Sequence, residues 1–267
     1  MPIADLGDVK LNHSEFGDGS PVVGIMGFSL DKTFWSPQVP AVSSTHRFIT
    51  FDNRGIGRSS GPAISTIDEM ANDTIRLMDH LEIERAVIFG VSMGGTIAQR
   101  LTLDHPDRVE GLILAVTWAR PIEYMRRQHD VTRKILDIAP DELLEASMLK
   151  MLTPRFFEIG KDTIDQIIKS FERDGGPDQR VVDVLNAQLD AIDKFDALAE
   201  LPSITCPALV IGGKMDMIVP GFGAEEIAAA IPGAELLMLE TGHGCMIEEL
   251  EAFNAAVSGF LATVSAS

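Results

Sequence analysis

The feature that most constrains this chain is an alternation: short, almost purely apolar runs are each followed by a stretch of helical period. The runs are 21–26 (PVVGIM), 46–51 (HRFITF), 85–91 (RAVIFGV), 109–116 (VEGLILAV), 208–212 (ALVIG) and 235–239 (ELLML). A strand that is apolar on both faces must be covered on both faces, the situation inside a parallel sheet. The segments between suit the covering helices. From 67 to 81, apolar residues recur at Ile67, Met70, Ala71, Ile75, Met78 and Leu81, one stripe of a 3.6-residue helix. Further helices are predicted over 94–105 (closed by Pro106), around 224–230 and from 248 to about 264. The class is α/β, with helices on both faces of a parallel sheet. The first 20 residues read as a polar hairpin with Asp18-Gly19 as turn chemistry.

Between 119 and 201 the alternation stops. Four helices are predicted near 122–138, 141–152, 156–174 and 178–195, separated by Pro140, Pro154 and Gly175-Gly176-Pro177. Helices inserted in mid-sheet look like a lid. The expected organisation is therefore 1–118 as the first part of the core, 119–201 as a helical lid, and 202–267 as the second part of the core.

Forty acidic side chains against 22 basic ones give a formal charge of -18. Such a surface repels phosphate backbones and anionic bilayers, so neither nucleic acid nor membrane is an expected partner. Residues 1–10 carry no basic segment followed by an apolar one, and only Cys206 and Cys245 are present. No signal peptide is expected, and a reduced, cytoplasmic protein is.

Gly90-Val91-Ser92-Met93-Gly94 has the form G-x-S-x-G, directly after RAVIFGV and directly before TIAQRLTLDH. That is the strand–turn–helix context of a nucleophile elbow, in which a serine is held in strained geometry at a helix N-terminus. A hydroxyl needs a base to take its proton. His13, His46, His80, His105 and His129 fall at strand starts, on helices or in the lid, where surface or packing roles are expected. His243 follows ELLML in Thr241-Gly242-His243-Gly244, at the end where strands leave the sheet and ligands of open α/β sheets bind. Asp216, just beyond ALVIG, is the expected acid that orients it, with Glu240 and Glu123 as alternatives; Ser, acid, His is an established chain order for such a triad. The oxyanion donors are expected to be the backbone N–H groups of Met93 and of Phe28, the latter in Met26-Gly27-Phe28-Ser29. Trp35, Trp118, Tyr124, Met125 and Met217 are candidates to line an apolar pocket between sheet and lid, and Cys245 reads as a plain buried thiol.

Asp52-Asn53-Arg54-Gly55-Ile56-Gly57-Arg58-Ser59 reads as a structural turn, since its glycines do not fit G-x-G-x-x-G. Together with Phe34-Trp35-Ser36-Pro37-Gln38-Val39, Gly90–Gly95 and His105-Pro106-Asp107-Arg108-Val109, it resembles the α/β-hydrolase superfamily over the whole chain. Within it, the chain is most similar to small bacterial esterases and lactonases, including 3-oxoadipate enol-lactonase-like proteins. The resemblance implies an α/β-hydrolase fold with a mostly parallel eight-stranded sheet. It also implies a serine hydrolase that cleaves a small ester or lactone through an acyl-enzyme, without metal or cofactor. One departure is Met26-Gly27 where many relatives carry His-Gly; this counts against cofactor-free dioxygenase relatives. A missing glycine-proline-glycine motif counts against carbon–carbon bond hydrolases. Ser92 counts against dehalogenases and epoxide hydrolases, whose nucleophile is aspartate. Thioester or amide hydrolysis, perhydrolysis and carbon–carbon cleavage on the same triad stay open, as does a non-catalytic ligand-binding role.

Overall fold

The apolar runs become the strands of one sheet. The computed structural model describes residues 2–171 and 178–264. The first part of the chain runs β1 (Ile3–Asp5), β2 (Lys10–Phe16), β3 (Pro21–Ile25), α1 (Val39–Ser43), β4 (Arg47–Phe51), α2 (Ile67–His80), β5 (Ala86–Val91), α3 (Met93–Asp104) and β6 (Val109–Ala115). Helices follow: α4 (Glu123–Ile138), α5 (Leu143–Met151), α6 (Pro154–Ile159), α7 (Lys161–Phe171) and α8 (Gln179–Lys194). The chain then returns through β7 (Ala208–Gly213), α9 (Phe222–Ala230), β8 (Glu235–Leu239), α10 (Cys245–Glu248) and α11 (Leu250–Val264).

Eight strands form one sheet in the order β1-β2-β4-β3-β5-β6-β7-β8. The pairs β1–β2 and β2–β4 are antiparallel, and every other neighbouring pair is parallel. The N-terminal hairpin is present, but its turn differs from expectation. It lies at Leu6–Val9, where the Leu6 N–H donates to Val9 O at 2.9 Å and Gly7 takes φ 94°. Asp18-Gly19 instead joins β2 to β3, which do not pair because β4 lies between them. The three residues of β1 are too short for alternation to announce a strand.

All six residues of β5 and of β7 are buried, as strands covered on both faces require. One face carries α2, α3 and α9 through residues such as Ile67, Leu77, Ile97 and Ile227. The other carries α1 and α11 through Val42, Phe253 and Val257. Thr66 starts α2 by accepting the Glu69 N–H (3.3 Å) while its hydroxyl donates to the Glu69 carboxylate (2.8 Å).

Helices α4–α8 lie between β6 and β7 in sequence and form a small apolar cluster around Leu136, Leu143, Val182 and Leu185 that also takes in Ile56 of the core. The helix expected over 156–174 is divided at Gly160, where a Cβ would come within 2.7 Å of the Phe156 ring. Thr153 accepts the Phe156 N–H at 3.3 Å and so starts α6, with Pro154 in its first turn. Residues 172–174 and the expected break at Gly175-Gly176-Pro177 lie outside the described residues. Among the described residues no helix is long and apolar enough to cross a membrane.

Candidate active site

Ser92 sits between β5 and α3 with φ 56° and ψ −122°, a conformation that costs a non-glycine residue roughly 1–3 kcal/mol and persists only where the surroundings impose it. Here the surroundings are backbone. The Ser92 N–H donates to Ala115 O (2.9 Å), and its carbonyl accepts from the Gly95 N–H (2.8 Å) and the Thr117 hydroxyl (2.8 Å). A Cβ on Gly94 would stand 2.0 Å from Ile25 O, and one on Gly90 would stand 2.3 Å from Gly94 O. Only glycine permits the strand and the helix to meet this closely. The free N–H groups and positive dipole end of α3 point towards the turn.

Asp216 and His243 arrive on neighbouring strand ends, after β7 and β8. Asp216 Oδ1 accepts the N–H groups of Ile218 (2.7 Å) and Val219 (2.8 Å), which fixes the carboxylate. Its other oxygen meets His243 Nδ1 at 2.7 Å, and the aspartate side chain is 0% exposed. A carboxylate on Nδ1 holds the proton there and leaves Nε2 as the acceptor. His243 and Ser92 line one cavity, and no other histidine lines it. His13 and His46 are buried in the sheet region, and His129 pairs with Asp193 at 2.6 Å. Neither Glu240 nor Glu123 contacts His243: Glu240 pairs with Lys214 and Glu123 with Arg127.

Gly27 packs against the serine, where a Cβ would stand 3.1 Å from Ser92 Cβ. Among the described residues, no acceptor takes the backbone N–H of Phe28 or of Met93. The Phe28 loop is held from behind by the DNRGIGRS turn. Asn53 Nδ2 donates to Met26 O (2.9 Å), and Asp52 accepts from the Lys32 N–H (2.9 Å), the Arg58 N–H (2.9 Å) and Asn12 Nδ2 (2.7 Å). From the helical side, Gln188 on α8 accepts the Ser29 N–H at 3.3 Å.

The cavity has a volume of about 390 Å³ and is walled by the Phe28 loop, the elbow, the His243 loop and α5, α7 and α8. None of the five aromatic and methionine candidates lines it. Trp35 is wholly buried in the sheet core, edge-on to Phe48 and Phe89 with ring centroids 5.4 and 4.6 Å away. Trp118 and Met125 belong to the core cluster that also contains Ile97 and Ile227. Tyr124 and Met217 are exposed and joined to each other, the tyrosine hydroxyl donating to Met217 O at 2.8 Å. Proximity to a strand end in sequence did not carry these side chains inward, because the start of α4 clasps the outside of the Asp216 loop. Gln128 adds a bond to Ile218 O at 3.1 Å.

Glu248, read in the sequence only as the start of a helix, is the residue that reasoning missed. One carboxylate oxygen accepts the Gly242 N–H (2.9 Å); the other accepts the Thr153 N–H (3.1 Å) and the Thr153 hydroxyl. Beside it the Gly244 N–H donates to Met151 O at 2.9 Å. The His243 loop is thus stitched on both sides to the α5–α6 corner. Thr153-Pro154 announces a helix start, but no local signal reveals a partner 95 residues further along the chain. Cys245 is fully buried, and burial, reinforced by the Asp216 charge, pushes its thiol far up, which makes it unreactive.

This architecture recurs in known proteins. Residues 20–141 match the family model described as the α/β-hydrolase fold, and residues 192–266 match that of TAP-like proteins. RutD of Caulobacter sp. (strain K31), a candidate carbamate hydrolase, is 32% identical over 91% of both chains. The crystal structure of an enol-lactonase from Burkholderia xenovorans LB400 superposes with a TM-score of 0.89 at 29% identity, covering 98% of this chain and all of that one. A thermophilic esterase from Thermogutta terrifontis gives 0.84 at 29% identity, covering 96% of this chain and 94% of its own. The chain therefore belongs to the α/β-hydrolase superfamily, as one of its enzymes.

Proposed function

We propose that this enzyme is a serine hydrolase that cleaves a carboxylic ester or lactone of a small, largely apolar molecule through an acyl-enzyme. His243 Nε2 takes the proton of Ser92 Oγ, which attacks the carbonyl carbon. The N–H groups of Phe28 and Met93 hold the oxyanion, and Asp216 stabilises the imidazolium. The protonated histidine gives its proton to the departing alkoxide. Water, deprotonated by the same histidine, then releases the acid and restores Ser92. No step calls for a metal or a cofactor. Loss of one oxyanion donor lowers such rates on the order of 100–1000-fold.

The observation that carries this reading is the buried 2.7 Å contact between His243 Nδ1 and Asp216, on a histidine that lines the same cavity as a serine at φ 56°. The cavity walls contributed by α5, α7 and α8 support a lid role for 119–201 between core parts 1–118 and 202–267. Two unpaired cysteines support action in the reducing cytoplasm.

Labelling wild type and Ser92→Ala with a fluorophosphonate tests the nucleophile: label on the wild type alone supports the reading, and a folded wild type that takes no label removes it. Carbamate hydrolysis on the same residues is a second reading, favoured by the likeness to RutD. A matched ester and carbamate pair separates the two by turnover.

A further inference from the structure

Resting on the reading of Ser92 and His243 as the reacting pair, we propose that the site selects by charge, taking substrates whose acyl part is uncharged and rejecting those that carry a carboxylate. The cavity wall is hydrocarbon and thioether over most of its extent, with Met26, Phe34, Leu144 and Leu185 among its members. Among the described residues no lysine or arginine lines it, and the single imidazole present has its Nδ1 occupied by Asp216. A carboxylate buried there would lose its hydration and meet no counter-charge, the most costly way to bury an ion.

The mouth acts in the same direction. Asp141, Glu142 and Glu145 line the cavity and are exposed, and half-buried Asp31 lies further along the wall. None of the four has an ion-pair partner among the described residues. The formal charge of -18 repels anions at longer range. The reacting centre escapes this exclusion, because its transient negative charge faces the N–H groups of Phe28 and Met93. The product does not escape it. Hydrolysis releases a carboxylate beside Ser92, within a wall that holds no lysine or arginine among the described residues, so the selection that bars acidic substrates also speeds departure of the acid.

The test compares p-nitrophenyl hexanoate with the mono-p-nitrophenyl ester of adipic acid, which has the same six-carbon acyl chain ending in a carboxylate. At low ionic strength kcat/KM is expected to be at least about 100-fold lower for the adipate ester. Raising the salt to about 0.5 M, which shortens the screening length, should recover part of the difference. The triple variant Asp141→Asn, Glu142→Gln, Glu145→Gln should recover a similar part, and sodium hexanoate should inhibit weakly. Equal rates, or a preference for the adipate ester, overturn the proposal. A second arm measures displacement of the uncharged fluorophore N-phenyl-1-naphthylamine from Ser92→Ala by both esters. A binding preference for the hexanoate ester without wild-type turnover would uphold the selectivity and remove the reading of Ser92 beneath it. Equal displacement overturns the selectivity alone.

Discussion

On the sheet side of the cavity the geometry is set by backbone packed against backbone; on the helical side it is set by side chains. Cβ atoms on Gly90, Gly94 and Gly213 would stand 2.3, 2.0 and 2.3 Å from carbonyl oxygens. Around α4–α8 the corresponding contacts are a small cluster of leucine and valine side chains and the Arg133 pairs with Asp190 and Asp193. Backbone contacts cannot relax by changing rotamer, whereas side-chain contacts can. Errors on the sheet side should therefore be all-or-none, and errors on the helical side graded.

The widest gap is expected between Gly94→Ala and Leu185→Ala. The added methyl has no room beside Ile25 O, so Gly94→Ala should cost more than about 5 kcal/mol and yield no folded protein. Leu185, which is buried and lines the cavity, should cost about 2–4 kcal/mol as Ala and leave a cooperative urea transition. A Gly94→Ala protein that melts within a few degrees of wild type would break the comparison.

Asp216→Asn probes the chemistry on that rigid side. The amide oxygen can still accept from the Ile218 and Val219 N–H groups, while the amide N–H₂ faces Nδ1 and favours the wrong tautomer. The fold should survive and kcat should fall on the order of 10⁴-fold. A loss below tenfold would show that another group orients His243.

Glu248 belongs to both sides at once, and its effect should be smaller. Glu248→Ala frees the Gly242 N–H and the start of α6, and is expected to lower kcat about 10–100-fold through a small displacement of His243. Glu248→Gln, which keeps one acceptor oxygen, should fall between. A change in Tm with kcat intact would mean that the carboxylate only staples the corner.

The same contrast explains what the sequence disclosed. Strands β3 to β7 were legible because a strand buried on both faces is apolar at nearly every position; β8, the half-exposed edge strand, was legible from its apolar run and lies over the expected residues 235–239. The elbow was legible because close approach leaves glycine as the only fit at 90 and 94. The pocket was not. Which face of α4 looks inward depends on its bonds to Met217 and Ile218, 93 and 90 residues away, and helical period reveals a stripe without saying what it meets. That Phe28 lines the cavity was reachable because its loop follows a strand end. Glu248 was not, since a carboxylate acting through two long-range bonds looks like any exposed acid at a helix start.

The mildest expected effect compares the two sides by proton uptake. Burial lowers the pKa of His13 and His46 on the sheet side and of His129 on the helical side. For His129 the effect of burial exceeds the opposing pull of Asp193, while the Arg133 and Lys150 charges act in the same direction as burial. Each imidazole is therefore neutral in the folded protein at a pH where the unfolded chain, with an ordinary value near 6.5, is already binding a proton. The unfolded state holds more protons throughout that interval, so stability rises with pH there. It should be complete above about pH 7 and decline as pH falls through about 6.5. Urea midpoints at pH 7.5 and 5.5 measure this, and a flat profile would refute the neutral buried state. His129→Gln should remove only the helical share of the slope. If it removed nearly all of it, His13 and His46 would take up no protons on unfolding, and the neutral state assigned to the sheet side would be wrong.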